Sequence, residues 1–243
     1  MCGVLITSKG DSRSKSDVVT LLTAIEQKYN KKHWESEWIR EKDNVEFAIT
    51  QLTDALRSFR FLECTAIGGS RIVLKFEESI RQREGSSSLS SNLYALKICR
   101  PFPEAIILTI NEFANIRMLP PHQNIIKVIW SRDIVLPGKR KGDNDQKKDL
   151  NILPVSLEEF MPNSRNLEEW LIEQLDIEKL DKAKYSEQIL NTTKKLADLL
   201  IVVINGMKHL HHNLVFHCDI KPENILIADN CNWSRLCRMR WDS

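Results

Sequence analysis

The chain has 243 residues, enough for one large domain or one domain with an extension, and 42% of them are hydrophobic, enough for a buried core. Its 35 basic and 33 acidic residues leave a formal net charge of +2, which gives no warrant for a nucleic-acid or membrane-surface partner. No apolar run approaches the roughly 20 residues that a membrane helix needs.

The opening MCGVLITSKGDS lacks a basic n-region and reads poorly as a signal peptide. Gly3 stands one place too late for myristoylation. Cys2 invites comparison with N-terminal cysteine nucleophiles, but three residues are too short a match, and helical spacing follows rather than a hairpin. The six cysteines, Cys2, Cys64, Cys99, Cys218, Cys231 and Cys237, form no CxxC pair, so reduced thiols and a cytoplasmic or nuclear setting are expected.

Residues 1–58 read as a helical extension. Val18, Leu21, Leu22 and Ile25 recur at helical spacing, and so do Phe47, Ile49, Leu52 and Leu56. TAIGGSRIVLKF then sets two glycines before an alternating, β-branched run, as in a strand–turn–strand. REGSSSLSSN (83–92) is a loop, and LYALKIC (93–99) a short buried strand. Pro101 and Pro103 open a helix that runs roughly to Leu119, where Pro120 and Pro121 end it. NIIKVIW (124–130) is expected as a strand, PGKRKGDNDQKKDLN (137–151) as a charged loop, and ILPVSLEEF (152–160) as a strand leaving the sheet. Leu196, Leu199, Leu200, Val203, Met207 and Leu210 mark one face of a long helix.

That helix leads into HCDIKPENILIADN, residues 217–230. The loop places an aspartate, a lysine and an asparagine within six residues. An aspartate can take a proton from a hydroxyl, a lysine can offset charge on a transferred phosphate, and an asparagine oxygen is a neutral, hard ligand for Mg²⁺. The spacing from His217 to Asp219 to Asn224 resembles the catalytic loop of the protein kinase family. Other landmarks stand in the family's order: YALKI (94–98), HQNIIKVI (122–129), LEEFMPNSRNLEEWL (157–171) at the hinge, and LHHNLVFHCD (210–219).

The resemblance covers about residues 59–236 and implies an α+β, protein-kinase-like fold. An antiparallel-sheet lobe with one helix would span 59–162, and a partial helical lobe 163–243. It implies ATP and Mg²⁺ as cofactors and a protein serine or threonine as acceptor, since lysine two places after the aspartate is similar to the serine/threonine branch. It casts Asp219 as base, Lys221 as phosphate contact and Asn224 as metal ligand. Lys97 would hold the ATP phosphates with Glu112 as its ion-pair partner. Ala95 and Val73 would line the nucleotide site, and Gly68 and Gly69 would remain from the glycine-rich loop, although any hairpin uses glycine.

Three departures accompany the resemblance. Ala66 and Arg71 occupy two of the glycine positions. Cys218 replaces the loop arginine that answers activation-segment phosphorylation. Arg238, Met239 and Arg240 stand about where D-F-G belongs, so a C-terminally incomplete member is expected, with a non-catalytic pseudokinase or binding module as the alternative. His209, His211, His212, His217 and Cys218 crowd together but match no common zinc spacing.

Overall fold

In a computed structural model, the extension folds as two helices, α1 (Ser12–Lys31) and α2 (Glu35–Leu52). The structure describes residues 12–78, 92–117, 119–137, 151–174, 185–228 and 237–239. Most of the loops expected at 83–92 and 137–151, and of the stretch 235–243, lie outside the described residues. Ile25, Tyr29, Val45, Ala48, Ile49 and Leu52 are wholly buried. The turn between the helices places His33 at φ 56, with Trp34 N–H donating to Tyr29 O at 3.1 Å and His33 N–H to Asn30 O at 3.1 Å. These are the two bonds of a Schellman cap, which satisfies the last carbonyls of α1.

Next come β1 (Phe59–Ile67), β2 (Arg71–Glu78), β3 (Leu93–Cys99), α3 (Pro103–Ile116), β4 (Val128–Val135) and β5 (Ile152–Glu159). The five strands form one sheet in the order β1-β2-β3-β5-β4. β1, β2 and β3 are antiparallel neighbours, with Val73 opposite Lys97 and Lys75 opposite Ala95. Cross-strand rings pack Phe61 on Phe76 at 5.6 Å and Phe59 on Tyr94 at 5.2 Å. β1 is an edge strand with two bulges, after Phe61 and after Cys64. Such an edge needs cover, and α1 supplies it: Lys28 Nζ donates to Thr65 O at 3.1 Å and Lys32 Nζ to Ile67 O at 2.6 Å.

Two expected strands are corrected. β5 does not leave the sheet; it lies between β3 and β4, with Leu153, Val155 and Leu157 fully buried. Pro154 lowers the sequence expectation of an interior strand, but the apolar run around it fits only a position covered on both faces. β4 begins at Val128, and the residues before it form a turn, His122–Ile125, closed by Ile125 N–H donating to His122 O at 3.1 Å. Ile125 and Ile126 are buried at the end of that turn, and a short apolar run reads alike in either conformation.

The remaining elements are β6 (Ser164–Asn166), α4 (Leu167–Gln174), α5 (Tyr185–His212), a 3₁₀ turn (Pro222–Asn224), β7 (Ile225–Ala228) and β8 (Cys237–Met239). β6, β7 and β8 make a small antiparallel sheet. Asn166 and Glu169 cap α4 reciprocally: Glu169 N–H donates to Asn166 Oδ1 at 2.8 Å, and Asn166 N–H to Glu169 Oε2 at 3.0 Å.

The chain divides into two compact units, Met1–Ile106 with Arg132–Val155, and Ile107–Ser131 with Ser156–Ser243. The core of the second is Trp170, Leu199, Val202, Val203, Leu210 and Val215, joined by Ile225 and Ile227. Leu200 belongs to the expected helix face but is 46% exposed, and Val202 takes its place. The rest of the stripe is as read, with Leu199, Val203 and Leu210 in the core and Leu196 and Met207 packed against it.

α5 ends in a second Schellman cap, with Val215 N–H donating to Leu210 O at 3.0 Å and Leu214 N–H to His211 O at 3.0 Å. Leu210 and Val215 are both buried, as the hydrophobic contact of that motif requires. Leu214 carries φ 59 and is 85% exposed, so a β-carbon sits in a left-handed conformation with little burial to offset it. Leu214→Gly should therefore stabilise the fold by up to about 1 kcal/mol. A urea titration would show it; an unchanged or lower midpoint would contradict the cap.

Candidate functional site

Residues 217–224 hang between two buried supports, the C-terminal cap of α5 with Val215 and the start of β7 with Ile225 and Ile227. Within the loop, side chains alternate in burial: Phe216 is exposed, His217 buried, Cys218 exposed, Asp219 half-buried and Asn224 only 2% exposed. Cys218 takes φ 60, a left-handed conformation that costs a non-glycine residue about 1 kcal/mol or more. It lets the chain double back, so that Asp219 N–H points to His217 Nδ1 at 3.4 Å. His217 Nδ1 is thus an acceptor.

Asn224 is the hub. Its Nδ2 donates to Asp219 O at 3.0 Å and to Asp219 Oδ2 at 2.8 Å. Both acceptors are oxygens, so only the amide nitrogen can stand there, and the orientation of the carboxamide follows. Lys221 Nζ lies 2.9 Å from the same Asp219 Oδ2. Both partners of that ion pair are more than one-third exposed, so it orients the carboxylate more than it stabilises the fold. The 3₁₀ turn closes with Asn224 N–H donating to Lys221 O at 2.9 Å. The three residues singled out in the sequence are therefore brought together around one carboxylate. A carboxylate and a carboxamide oxygen are hard donors that suit Mg²⁺, which is commonly held by few protein oxygens plus phosphate and water.

β8 closes the same small sheet. Its register pairs Met239 with Ile225 and Arg238 with Leu226, so the backbone at Met239 returns to the residue next to Asn224. Neither Arg238 nor Met239 is a carboxylate. Arg240 lies outside the described residues.

The other candidates are carried by other elements. Val73, Ala95 and Lys97 share one face of the β2–β3 ladder, because Val73 pairs with Lys97 and Ala95 follows two residues before it. Lys97 and Ala95 are buried. Gly68 and Gly69 form the exposed tip of the β1–β2 hairpin, closed by Gly68 N–H donating to Arg71 O at 2.8 Å. A β-carbon at Gly68 would meet only Arg71 O, at 3.7 Å, and one at Gly69 would meet nothing within 4 Å. The turn itself thus does not demand glycine. Glu112, on α3, is buried and belongs to the second unit, whereas Lys97 belongs to the first.

One polar cluster escaped the sequence reading. Arg100, just past β3, is buried beside Glu41 of α2: its Nε donates to Glu41 Oε2 at 3.0 Å and its Nη2 to Oε1 at 2.5 Å. Tyr29 OH donates to Glu41 Oε2 at 2.7 Å, and burial, then the Glu41 hydrogen bond, push the phenol well above its ordinary value. The two ionic partners are 59 positions apart, so no local spacing signals them.

A histidine pair braces the end of α5. His122 and His209 stack with centroids 4.6 Å apart, and His209 Nε2 lies 2.9 Å from Pro120 O. His122 Nδ1 accepts from Asn124 N–H at 3.2 Å. Burial, and secondarily His209, hold the His122 imidazole below its ordinary 6.5. A depressed folded value means that the unfolded chain binds more protons below pH 6.5, so stability is lost as pH falls from there through the folded value. Acidification from about pH 7 to about pH 5.5 should lower the urea midpoint more in the wild type than in His122→Gln; parallel pH profiles would remove His122 from that role.

Comparison with known proteins adds the following. The profile described as the protein kinase domain matches residues 87–237, well over half of the chain. A chain of Acanthamoeba polyphaga mimivirus that bears a serine/threonine-protein kinase name is 31% identical over 44% of this chain and 30% of its own length. Mitogen-activated protein kinase 7 of Arabidopsis thaliana is 24% identical over 46% of this chain and 23% of its own. The LRR receptor-like serine/threonine-protein kinase EFR of Arabidopsis thaliana is 37% identical over 30% of this chain and 7% of its own. The matched stretches thus span less than one-third of each of these relatives.

Proposed function

This chain belongs to the protein kinase domain family, and from that premise we propose that its 217–224 loop serves transfer of the ATP γ-phosphate to a serine or threonine hydroxyl of a protein. The observation that carries the reading is the single carboxylate oxygen, Asp219 Oδ2, held by Asn224 at 2.8 Å and by Lys221 at 2.9 Å. Two donors on one oxygen fix the carboxylate's direction before substrate arrives, which is the preorganisation that proton transfer rewards. Lysine two places after the aspartate favours serine or threonine as acceptor.

In the proposed step, the acceptor oxygen forms a bond to the γ-phosphorus, the bond from that phosphorus to the β–γ bridging oxygen breaks, and ADP leaves with the electron pair. Asp219 receives the hydroxyl proton. Lys221 offsets charge on the transferred group. Asn224, by its carboxamide oxygen, would hold Mg²⁺, which supplies charge neutralisation at the phosphates. Lys97 would bind the α- and β-phosphates with Glu112 as its partner, Val73 and Ala95 would line the base, and the Gly68–Gly69 tip would approach the phosphates.

Radiolabelled ATP and a mixed protein acceptor test this with the 243-residue chain. Transfer that falls at least ~100-fold in Asp219→Ala supports the assignment; transfer unaffected by Asp219→Ala ends it. The glycine tip has its own test. Gly69→Ala meets no neighbour, so it should leave stability unchanged or raise it by about 0.4–1 kcal/mol. Weakened ATP binding in that stable variant would place phosphate against the tip, whereas unchanged affinity would remove the tip from the site.

A second reading, a nucleotide-binding or protein-binding module without catalysis, is favoured by the return of Met239 beside Ile225, where a carboxylate is otherwise expected as the second metal ligand. It differs in its metal dependence. A non-catalytic module binds ATP equally with Mg²⁺ or with EDTA, or binds none; titration calorimetry in both buffers separates it from the kinase reading.

A further inference from the structure

We propose that the N-terminal helical pair is a clamp on the β1–β2 turn, with Arg100 as the positioning residue that transmits it. The positioning role rests on the reading that this turn faces nucleotide phosphate; the clamp itself does not.

The Arg100 guanidinium faces two ways. On one side it makes a bidentate pair with Glu41 of α2. On the other, its Nη1 donates to Gly68 O at 3.3 Å and to Gly69 O at 3.2 Å. Its backbone N–H donates to Ser70 O at 2.8 Å. Every carbonyl of the three-residue tip is thereby held from a single residue. Lys28 and Lys32 of α1 hold Thr65 O and Ile67 O just before it. Rings close over the cation: Arg100 lies 5.1 Å from the Trp34 centroid, 5.3 Å from Phe102 and 5.6 Å from Tyr29.

The tip needs such an anchor. Gly68 and Gly69 are exposed and a β-carbon at Gly69 would touch nothing, so side-chain packing does not define the position of these two residues. The tip's carbonyl oxygens are handles, and the Arg100 side chain takes those of Gly68 and Gly69, while cations from α1 hold the strand just before it. Because Arg100 is itself oriented by Glu41, the geometry of the tip depends on α2. The extension therefore does more than cover an edge strand.

The test must loosen the clamp without unfolding the chain. Removing one partner alone would strand a buried charge. Replacing the whole polar cluster with apolar residues of similar size commonly preserves a fold. The variant is therefore Tyr29→Phe, Glu41→Met and Arg100→Met together, with Arg100→Lys as a milder second. Hydrogen exchange is followed in the nucleotide-free 243-residue chain. The clamp predicts at least tenfold faster exchange at the Gly68 amide and its neighbours, with Ile225–Ala228 unchanged. Unchanged exchange at the tip in both variants overturns the clamp.

Binding of ATP and of adenosine, which lacks phosphates, then tests the positioning role. Arg100 as a positioning residue predicts a several-fold loss of ATP affinity with adenosine affinity kept. Equal effects on both ligands, or on neither, overturn that role even where exchange has risen. If the wild-type chain binds neither ligand, the kinase reading fails and the positioning role fails with it, while the exchange result still decides the clamp.

Discussion

A buried carboxamide cannot be left without partners, and the loop at 217–224 is shaped by meeting that demand. Asn224 is almost fully removed from water, and its amide group finds both acceptors on Asp219, one from the backbone and one from the side chain. The four intervening residues must therefore curl, and the curl is what the left-handed Cys218 and the 3₁₀ turn at Pro222–Asn224 supply. The Asp219 carboxylate ends up oriented as a by-product of satisfying Asn224. Lys221, caught inside the curl, then lies against the same oxygen. The second unit's core gives this arrangement its fixed ends, since Val215 and Ile225 both sit in the cluster around Trp170 and α5.

The first unit solves a different problem. Glu41, Arg100 and Tyr29 bury a charge pair where apolar residues would give comparable stability, because the cost of stripping water from both ions offsets most of their attraction. What an apolar trio could not do is grip carbonyl oxygens. A guanidinium has donors left after satisfying a carboxylate, and here they go to Gly68 and Gly69. The buried ions thus specify a backbone position more than they add stability. The same logic covers Lys28 and Lys32, whose long stems lie on α1 while their ammonium groups close the bulged edge of β1.

The features legible in the sequence are those whose physics is local. LYALKIC is found as a strand over the same residues, and the spacing of Asp219, Lys221 and Asn224 became a spatial cluster because one short loop carries all three. α1 and α2 were visible in their periodicity. Features set by distant neighbours were not. β5 is interior only because β3 and β4 flank it, which no window containing Pro154 can express. On α5 one position of the stripe differs, Val202 for Leu200, because the two are similarly apolar and only the partner surface chooses between them. Arg100 and Glu41 look like ordinary surface charges until the fold brings α2 to the end of β3.

The two functional readings differ in how much positive charge reaches the phosphates. Phosphoryl transfer depends on positioning and on neutralising oxygen charge, with metal ions carrying much of it. The 217–224 loop offers a neutral oxygen at Asn224 and one cation at Lys221. The strand that returns beside it reads Cys237-Arg238-Met239 and has no carboxylate in its described part. On the kinase reading, the load shifts to Lys97 and Lys221 and to whatever the tip contributes through amides other than Gly68 N–H, which already donates to Arg71 O. A tip pinned by Arg100 can contribute only if its fixed position is the right one, because it cannot adapt to the ligand. Rigidity at the tip and economy at the metal thus go together: a site with fewer charges to spend has more to gain from amides that need no reorganisation when phosphate arrives.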